Sequence, residues 1–382
     1  MRDSLLIIGG GALGSAVAAS LAERSDWRGR ITVLERDPSY ALASSARSAA
    51  SIRQQFSTPL NIALSLHGLE VLRAAGPQAA LVEQGYLYLI PPEGAAQQQA
   101  LNAVQRAQGA EVALLSPVEL AQRFPWMNTQ DLALGSWGLR GEGWFDGWGL
   151  LQSLKQRAQA AGVQYLKDEA LGFELDGLGQ VCGVRSAAGT QHRADRFVLA
   201  SGAWSAPLAA TAGVVLPVSA RRRSVYAFRT PEAAPGCPLV IDPSGLWFRP
   251  EGPGQFICGG PPLGEDAADL PLDPEASLFE ERLWPALADR VPGFASLRQE
   301  RSWAGYYEMN DVDHNGLVGP WPGQTRLLMA CGFSGHGLQH APGIGRGLAE
   351  WIATGGYETL DLSPLGPDRL LRGEPYRELN VI

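Results

Sequence analysis

An α/β fold made of two interleaved domains is predicted from three observations. The chain opens on strand, glycine loop, helix and strand in "LLIIGGGALGSAVAASLAERSDWRGRITVLERD". From Pro217 to about Tyr307 it changes to alternating strands broken by many prolines. It then returns to strand, glycine loop and helix in "TRLLMACGFSGHGLQHAPGIGRGLAE". A texture that leaves and comes back implies one α/β domain interrupted by insertions that build a second, sheet-plus-helix domain.

The elements follow in order. "SLLIIG" reads as a buried parallel strand, because every position is apolar between a polar start and a glycine. A helix runs from about Ala12 to Arg24, and "RITVLE" is the second strand of a βαβ start. "TPLNIALSLHGLEVLRAAG" spaces its apolar residues as a helix does and ends at Gly76. "GYLYLI" alternates as a strand, "LNAVQRAQGA" is a helix ending near Gly109, and "SPVELAQRFP" is a short helix with a serine cap. A tract rich in Trp and Gly, "GSWGLRGEGWFDGWG", leads into the helix "LLQSLKQRAQAAG". Four short strands follow: "VQYLKDE", "ALGFELD", "QVCGVRS" and "TQHRADRFVLASG". The middle section holds the strands "RRRSVYAFR", "GLWFRPE" and "QFICGG", with one helix around "PEASLFEERLWPAL". The last helix runs to about Thr354. Residues 1–85, 145–215 and 310–382 are assigned to a Rossmann-like nucleotide-binding domain. Residues 86–144 and 216–309 form the inserted mixed-sheet domain.

Composition narrows the function. At 382 residues and 45% hydrophobic the chain can bury a large core. Its net charge of −8 and the absence of a basic run longer than Arg221–Arg223 argue against a nucleic-acid partner. Four cysteines without a CxxC pair suit a reducing compartment. No apolar run reaches bilayer length and no secretory signal precedes the glycine loop. The expectation is a cytoplasmic protein, with attachment to a membrane surface left open.

Gly9, Gly11 and Gly14 satisfy GxGxxG between a strand and a helix. The first glycine allows the turn, the second lets backbone approach a pyrophosphate, and the third lets helix and strand close up. The helix start, Ala12 and Leu13, offers free N–H groups to the diphosphate. Glu35 ends the second strand about 20 residues on, where an acid holds ribose hydroxyls, with Arg36 beside it. The constellation fits FAD or NAD. The Ser-rich "SSARSAASIRQQFSTP" that follows favours FAD, since a polar loop can wrap a flavin nucleotide where an NAD enzyme would continue with βα units.

Together with "VLASGAWS", "WAGYYEMNDVDHNGLVG" and "GFSGHGLQHAPGIGRGLAE", these stretches resemble the D-amino-acid oxidase family of FAD oxidoreductases over nearly the whole chain. Sarcosine oxidase, glycine oxidase and D-arginine dehydrogenase are members. The resemblance implies oxidation of an amino acid or N-substituted amino acid at its C–N bond. Hydride would pass to flavin N5, and the resulting imine would hydrolyse. The electron acceptor, whether oxygen, quinone or a protein, is left open. The texture of "RQQFS", "WAGYY" and "APGIGR" is also similar to a mitochondrial branch of the family implicated in complex I assembly. The alternative is therefore a flavin-holding assembly protein with little catalysis.

The resemblance also assigns residues. Ser44, Ser45, Arg47, Ser48 and Ala49 would line the cofactor, as would Gly202 and Trp204 of "SGAWS". In the late loop Gly332, Ser334, Gly335, His336, Gly337, Leu338 and Gln339 would pass the ring, aiming a helix N-terminus at the edge where reduced flavin carries charge. His336 reads either as a flavin neighbour or as a loop histidine satisfied by backbone. His336 and His340 have metal-ligand spacing, but no third ligand lies near and no metal is expected. Arg53 would hold a substrate carboxylate, its fork matching two oxygens; a salt bridge or a flavin phosphate is the other reading. Alternation places Arg222, Ser224, Tyr226 and Phe228 on one face, with Arg222 matching a substrate-domain arginine and Arg221 and Arg223 pointing away. A solvated edge strand is the alternative.

Departures from the family are informative. Tyr307 stands where a carboxylate-binding arginine is common, and Gln339 where a lysine is. Ile257 stands near the position of an oxygen-activating lysine. Ser48 replaces a flavin-attaching histidine and "GYY" lacks the cysteine, so FAD is expected to bind without a covalent bond.

Overall fold

The computed structural model describes residues 3–231 and 234–380; the outermost residues of the domain bounds, 1–2 and 381–382, lie outside it. A six-stranded sheet runs in the order Leu317–Trp321, Gln324–Cys331, Arg196–Leu199, Ser4–Ile8, Arg30–Glu35, Gln164–Lys167. All neighbours are parallel except the first pair. Start, middle and end of the chain thus lie side by side, with Ile7 level with Val33 on one side and Val198 on the other. Alternate residues supply two cores. Leu5, Ile7, Val33, Val198 and Leu328 pack under the helices Ala12–Ala22, Pro59–Ala75, Gly147–Ala160 and Gly337–Thr354. Leu6, Ile8, Leu34, Phe197 and Leu199 face a three-stranded sheet through Phe173, Val181 and Val184.

The second large sheet has eight strands, all drawn from residues 86–138 and 218–310. Tyr226, Phe228, Phe248, Phe256, Phe279 and Phe294 fill its core on the helix side. Its backbone is a pair of long antiparallel strands, Val218–Arg229 and Arg298–Asn310, matched from Val218 with Asn310 to Arg229 with Arg298.

Three elements differ from the sequence reading. "TQHRADRFVLASG" is two strands in two sheets, Gln191–Arg193 and Arg196–Leu199. The break is held by Asp195, whose carboxylate accepts from Ser4 N–H (2.8 Å) and Ser4 O–H (2.6 Å). The Trp/Gly tract contributes the strands Leu134–Gly138 and Gly143–Trp144. The middle helix begins as a wide turn, Phe279–Leu283, before Trp284–Arg290. Pro285 has no N–H to give to the carbonyl four residues back, so the turn before it opens.

Candidate active site

A cavity of about 720 Å³ lies between the two large sheets and takes its walls from both. At one end sits the first glycine loop. A Cβ on Gly9 would meet the Ala200 carbonyl at 2.3 Å, so strand and neighbouring turn close up there. A Cβ on Gly11 would find only Ser45 Oγ at 3.5 Å and would otherwise protrude into the cavity. Gly14 turns away from the cavity, with a Cβ there reaching Gly9 O at 1.9 Å, which is the helix-to-strand contact expected of it. The helix Ala12–Ala22 starts here without a side-chain cap or an acid in its first turn. Ala12 N–H meets Ser45 Oγ at 3.2 Å. Glu35 takes N–H from Gly10 and from Asp37, both at 2.9 Å, which fixes its carboxylate at the cavity wall. The Arg36 guanidinium lies 3.8 Å over the Trp204 ring.

The Ser-rich loop forms the next stretch of wall: Ser44, Ser45, Arg47, Ser48 and Ala49 all line it. Arg47 is held by the carbonyls of Ala41 (2.6 Å) and Ala304 (2.8 Å) and braces the loop against the long strand Arg298–Asn310. Gly202 lines the opposite side.

The late glycine loop is sewn to that same strand. Ser334 N–H donates to Glu308 O (3.0 Å), and Asn310 N–H to Ser334 Oγ (3.0 Å). Ser334, Gly335, His336, Gly337, Leu338 and Gln339 reach the cavity. Gly332 does not: it turns the chain behind the wall, beside Val218 and Asn310. Gly335 has φ +95, and a Cβ there would lie 2.4 Å from the Tyr307 ring. Only glycine lets the loop pass the phenol. The helix Gly337–Thr354 begins beside His336 with no side-chain cap and no acid in its first turn. Two helix N-termini therefore open on one cavity, the first with Ala12 N–H on Ser45 Oγ, each favouring negative charge.

Buried polar atoms here lack protein partners. Among the described residues His336 Nε2 and Glu308 Oε2 find no hydrogen-bond partner, and both residues line the cavity. Burial pushes His336 down to about 3, with the Arg53 and His314 charges adding, so the imidazole is neutral at physiological pH. Burial pushes Glu308 up to about 7 against the N–H groups of Gly332 and Phe333. The Glu308 carboxyl lies 3.5 Å from where a Cβ of Gly337 would sit, beside the helix N-terminus. His340 is one turn on, bonded to Ser65 Oγ at 3.2 Å, with its ring tilted 48° against Phe56 at 5.0 Å. Among the described residues no group of three or more His, Cys, Asp or Glu is placed to hold a metal ion.

Arg53 lies at the far end, buried, its guanidinium 3.8 Å over the Phe56 ring. It donates to Gln55 O (2.7 Å) and Asn380 O (2.5 Å). Its N–H donates to Gln339 Oε1 (2.9 Å), so that glutamine is engaged by backbone. Tyr307 is beside it, its phenol held above the usual range by burial. Arg222 is not in the cavity: it turns to the helix side of the sheet, towards Glu275 (3.9 Å). Arg223 lines the cavity instead, bound at both nitrogens to Asp266 (2.7 Å each) and stacked 5.2 Å from Tyr307. The alternation itself holds, but Tyr226 and Phe228 belong to the helix-side core and carry Arg222 with them. Sequence reasoning passed over Glu308, Tyr86 and Tyr88. The signals were present: an acid directly after Tyr307, and two tyrosines two apart in "GYLYLI".

The profile of the family described as "FAD dependent oxidoreductase" matches residues 4–351. The chain belongs to that family. FAD-dependent oxidoreductase domain-containing protein 1 of Xenopus laevis is 39% identical over 100% of this chain and 85% of its own length. Mitochondrial sarcosine dehydrogenase of Mus musculus is 25% identical over 92% of this chain and 40% of its own. The crystal structure of L-proline dehydrogenase from P.horikoshii superposes with a TM-score of 0.87, at 25% identity, covering 98% of this chain and 99% of that one. FAD is the cofactor of the family, and the residues present fit it. The Gly11 cradle, the two uncapped helix starts and the unpartnered atoms of His336 and Glu308 are what a flavin dinucleotide would engage.

Proposed function

We propose that this FAD-dependent oxidoreductase oxidises the C–N bond of an amino acid or N-substituted amino acid. One observation carries the reading: Arg53 and Tyr307 share a single cavity with the dinucleotide loop and the free N-terminus of Gly337–Thr354. Similarity to proteins named for sarcosine and L-proline, two secondary-amine amino acids, supports it.

FAD, when bound, supplies the acceptor for the electron pair. The chain's own residues bind and orient. Arg53 has five N–H donors; one goes to Gln55 and one to Asn380, leaving three for a carboxylate. Tyr307 adds a phenol that bonds an anion without neutralising it. His336, neutral, offers a hydrogen bond at Nε2 without drawing the carboxylate away from Arg53. Holding the reacting carbon in place supplies much of the rate.

Anaerobic mixing of the flavin-loaded protein with a panel of amino acids and N-methyl amino acids tests the reading. Bleaching of the visible flavin band by members of the panel is expected. A yellow protein that none of them bleaches would sink it and favour a flavin kept for an assembly role.

A further inference from the structure

Beyond Tyr307 the cavity continues over a wall that the cofactor features do not use. Tyr86 and Tyr88 share one face of the strand Tyr86–Ile90. The parallel neighbour sets Leu239 level with Tyr86 and Ile241 level with Tyr88. The next strand sets Trp247 opposite Ile241. All five line the cavity and form one contiguous cluster. Leu239 and Ile241 are the apolar centre of this wall, 2% and 8% exposed.

The polar groups at this end are few. Arg53, Tyr86, Tyr88 and Tyr307 line the same cavity, and Gln55, whose carbonyl accepts from the Arg53 guanidinium (2.7 Å), donates its side-chain amide to Tyr86 O (3.0 Å). The Tyr88 hydroxyl is buried and has no partner of normal geometry, which is costly unless a ligand supplies one. Arg223 has its charge paired by Asp266 and a third N–H given to Arg222 O (2.9 Å), which makes it a weaker anion site than Arg53. The wall therefore presents one positive charge, phenolic donors and an apolar sheet face.

We infer that this end of the cavity is a subsite for a monocarboxylate bearing a bulky apolar or aromatic group, its carboxylate on Arg53 and Tyr88 and its apolar group against Leu239, Ile241 and Trp247. The proposal rests on the preceding reading only in taking the occupant to be substrate. A second carboxylate would be carried against Leu239 and Ile241, stripped of water and unpaired, so dicarboxylates are rejected. The substrates selected are amino acids with one carboxylate and a large apolar body.

The test is calorimetric titration of the FAD-loaded protein with acetate, succinate and 3-phenylpropionate, none of which can be oxidised at a C–N bond. Phenylpropionate is expected to bind at least tenfold more tightly than acetate, and succinate no more tightly than acetate. Ile241→Ala should shrink the phenylpropionate-to-acetate ratio at least threefold. Tyr88→Phe should weaken both and leave the ratio unchanged. Equal affinity for acetate and phenylpropionate, preference for succinate, or no binding of any of the three would overturn the inference, whatever the variants do. Apolar carboxylates that bind as expected while the amino-acid panel bleaches nothing would remove the proposed reaction and keep the subsite. Bleaching confined to small or charged amino acids would do the reverse.

Discussion

At the scale of single residues, the site rests on Gly11, Arg53 and Glu308. Gly11→Val places two methyls where the cavity is open, and FAD content of the purified variant is expected to fall below a tenth of wild type; normal content would remove the loop's assignment. Arg53 bears on stability as well as substrate. Its guanidinium ties Gln55 to Asn380 and covers Phe56. Arg53→Ala leaves the Asn380 carbonyl without its donor, leaves Gln55 O only the Asn380 side-chain amide (2.9 Å), and opens a hole above the ring, a loss of about 1–3 kcal/mol in stability. Arg53→Lys is the cleaner probe: it keeps the charge and loses the fork. Its kcat/KM for a carboxylate substrate should drop at least tenfold, equivalent to about 1.4 kcal/mol, with FAD content unchanged. An unchanged kcat/KM would place the carboxylate elsewhere. Glu308 is neutral below about 7 and ionised above it, beside a helix N-terminus at the cavity. Negative charge there opposes reduction of a bound flavin. The midpoint potentials of wild type and Glu308→Gln should coincide at pH 5.5. By pH 8 wild type should lie at least 30 mV lower, about 1.4 kcal/mol for a two-electron couple; parallel curves would show that Glu308 does not reach the flavin.

At the scale of elements, the late glycine motif divides into two halves with different work. Gly335 and Gly337 shape the cavity. Gly343, Gly345 and Gly347 lie inside the helix Gly337–Thr354 and let it press on its neighbours. A Cβ on Gly345 would stand 2.5 Å from the Ala16 backbone carbon, and one on Gly343 2.6 Å from Leu64. This helix crosses both Ala12–Ala22 and Pro59–Ala75 at backbone distance, and its N-terminus is aimed by that packing. Gly345→Val should cost about 1–3 kcal/mol or more through overpacking. Because the shift moves both helix starts at the cavity, FAD affinity should fall with stability. A lower melting temperature with unchanged FAD affinity would separate packing from aim. The strand Arg298–Asn310 shows why some elements escaped the sequence. Its first half, "RQERS", is exposed and polar, and is a strand only because Val218–Arg229 pairs with it along its length. No apolar alternation marks it.

At the scale of the whole molecule, what was legible followed from local chemistry. Gly9, Gly11 and Glu35 announce a dinucleotide site because strand, turn and acid are contiguous in sequence. The choice between Arg222 and Arg223 was not legible, since alternation gives two faces and only the tertiary fold says which one meets the cavity. Asn380 reaching Arg53 across the molecule was equally invisible. The same long-range burial sets how stability depends on pH. His336 and His340 are buried neutral, held below their ordinary value. As pH falls through about 6.5 the unfolded chain takes up protons that the native one refuses, so both residues make stability fall towards acid. Glu142 and Glu308 act oppositely. Burial raises each to about 7, so between about 4.5 and 7 the native state holds the extra protons and stability falls as pH rises. From pH 6.5 to 4.5 the two pairs offset each other; below 4.5 the histidines are no longer offset, carboxyls held below their ordinary value such as Asp168 and Asp131 add to the fall, and stability drops steeply. His340→Gln removes one histidine from this balance. At pH 7 it should be less stable than wild type, having lost a filled position beside Ser65 and Phe56. Below pH 6.5 the deficit should shrink by up to about 1.4 kcal/mol per pH unit, the slope of one proton. Unfolding measured at pH 7, 6 and 5 reads it directly. A deficit that stays constant across that range would mean that His340 is protonated in the native protein, and that the core around it admits a charge.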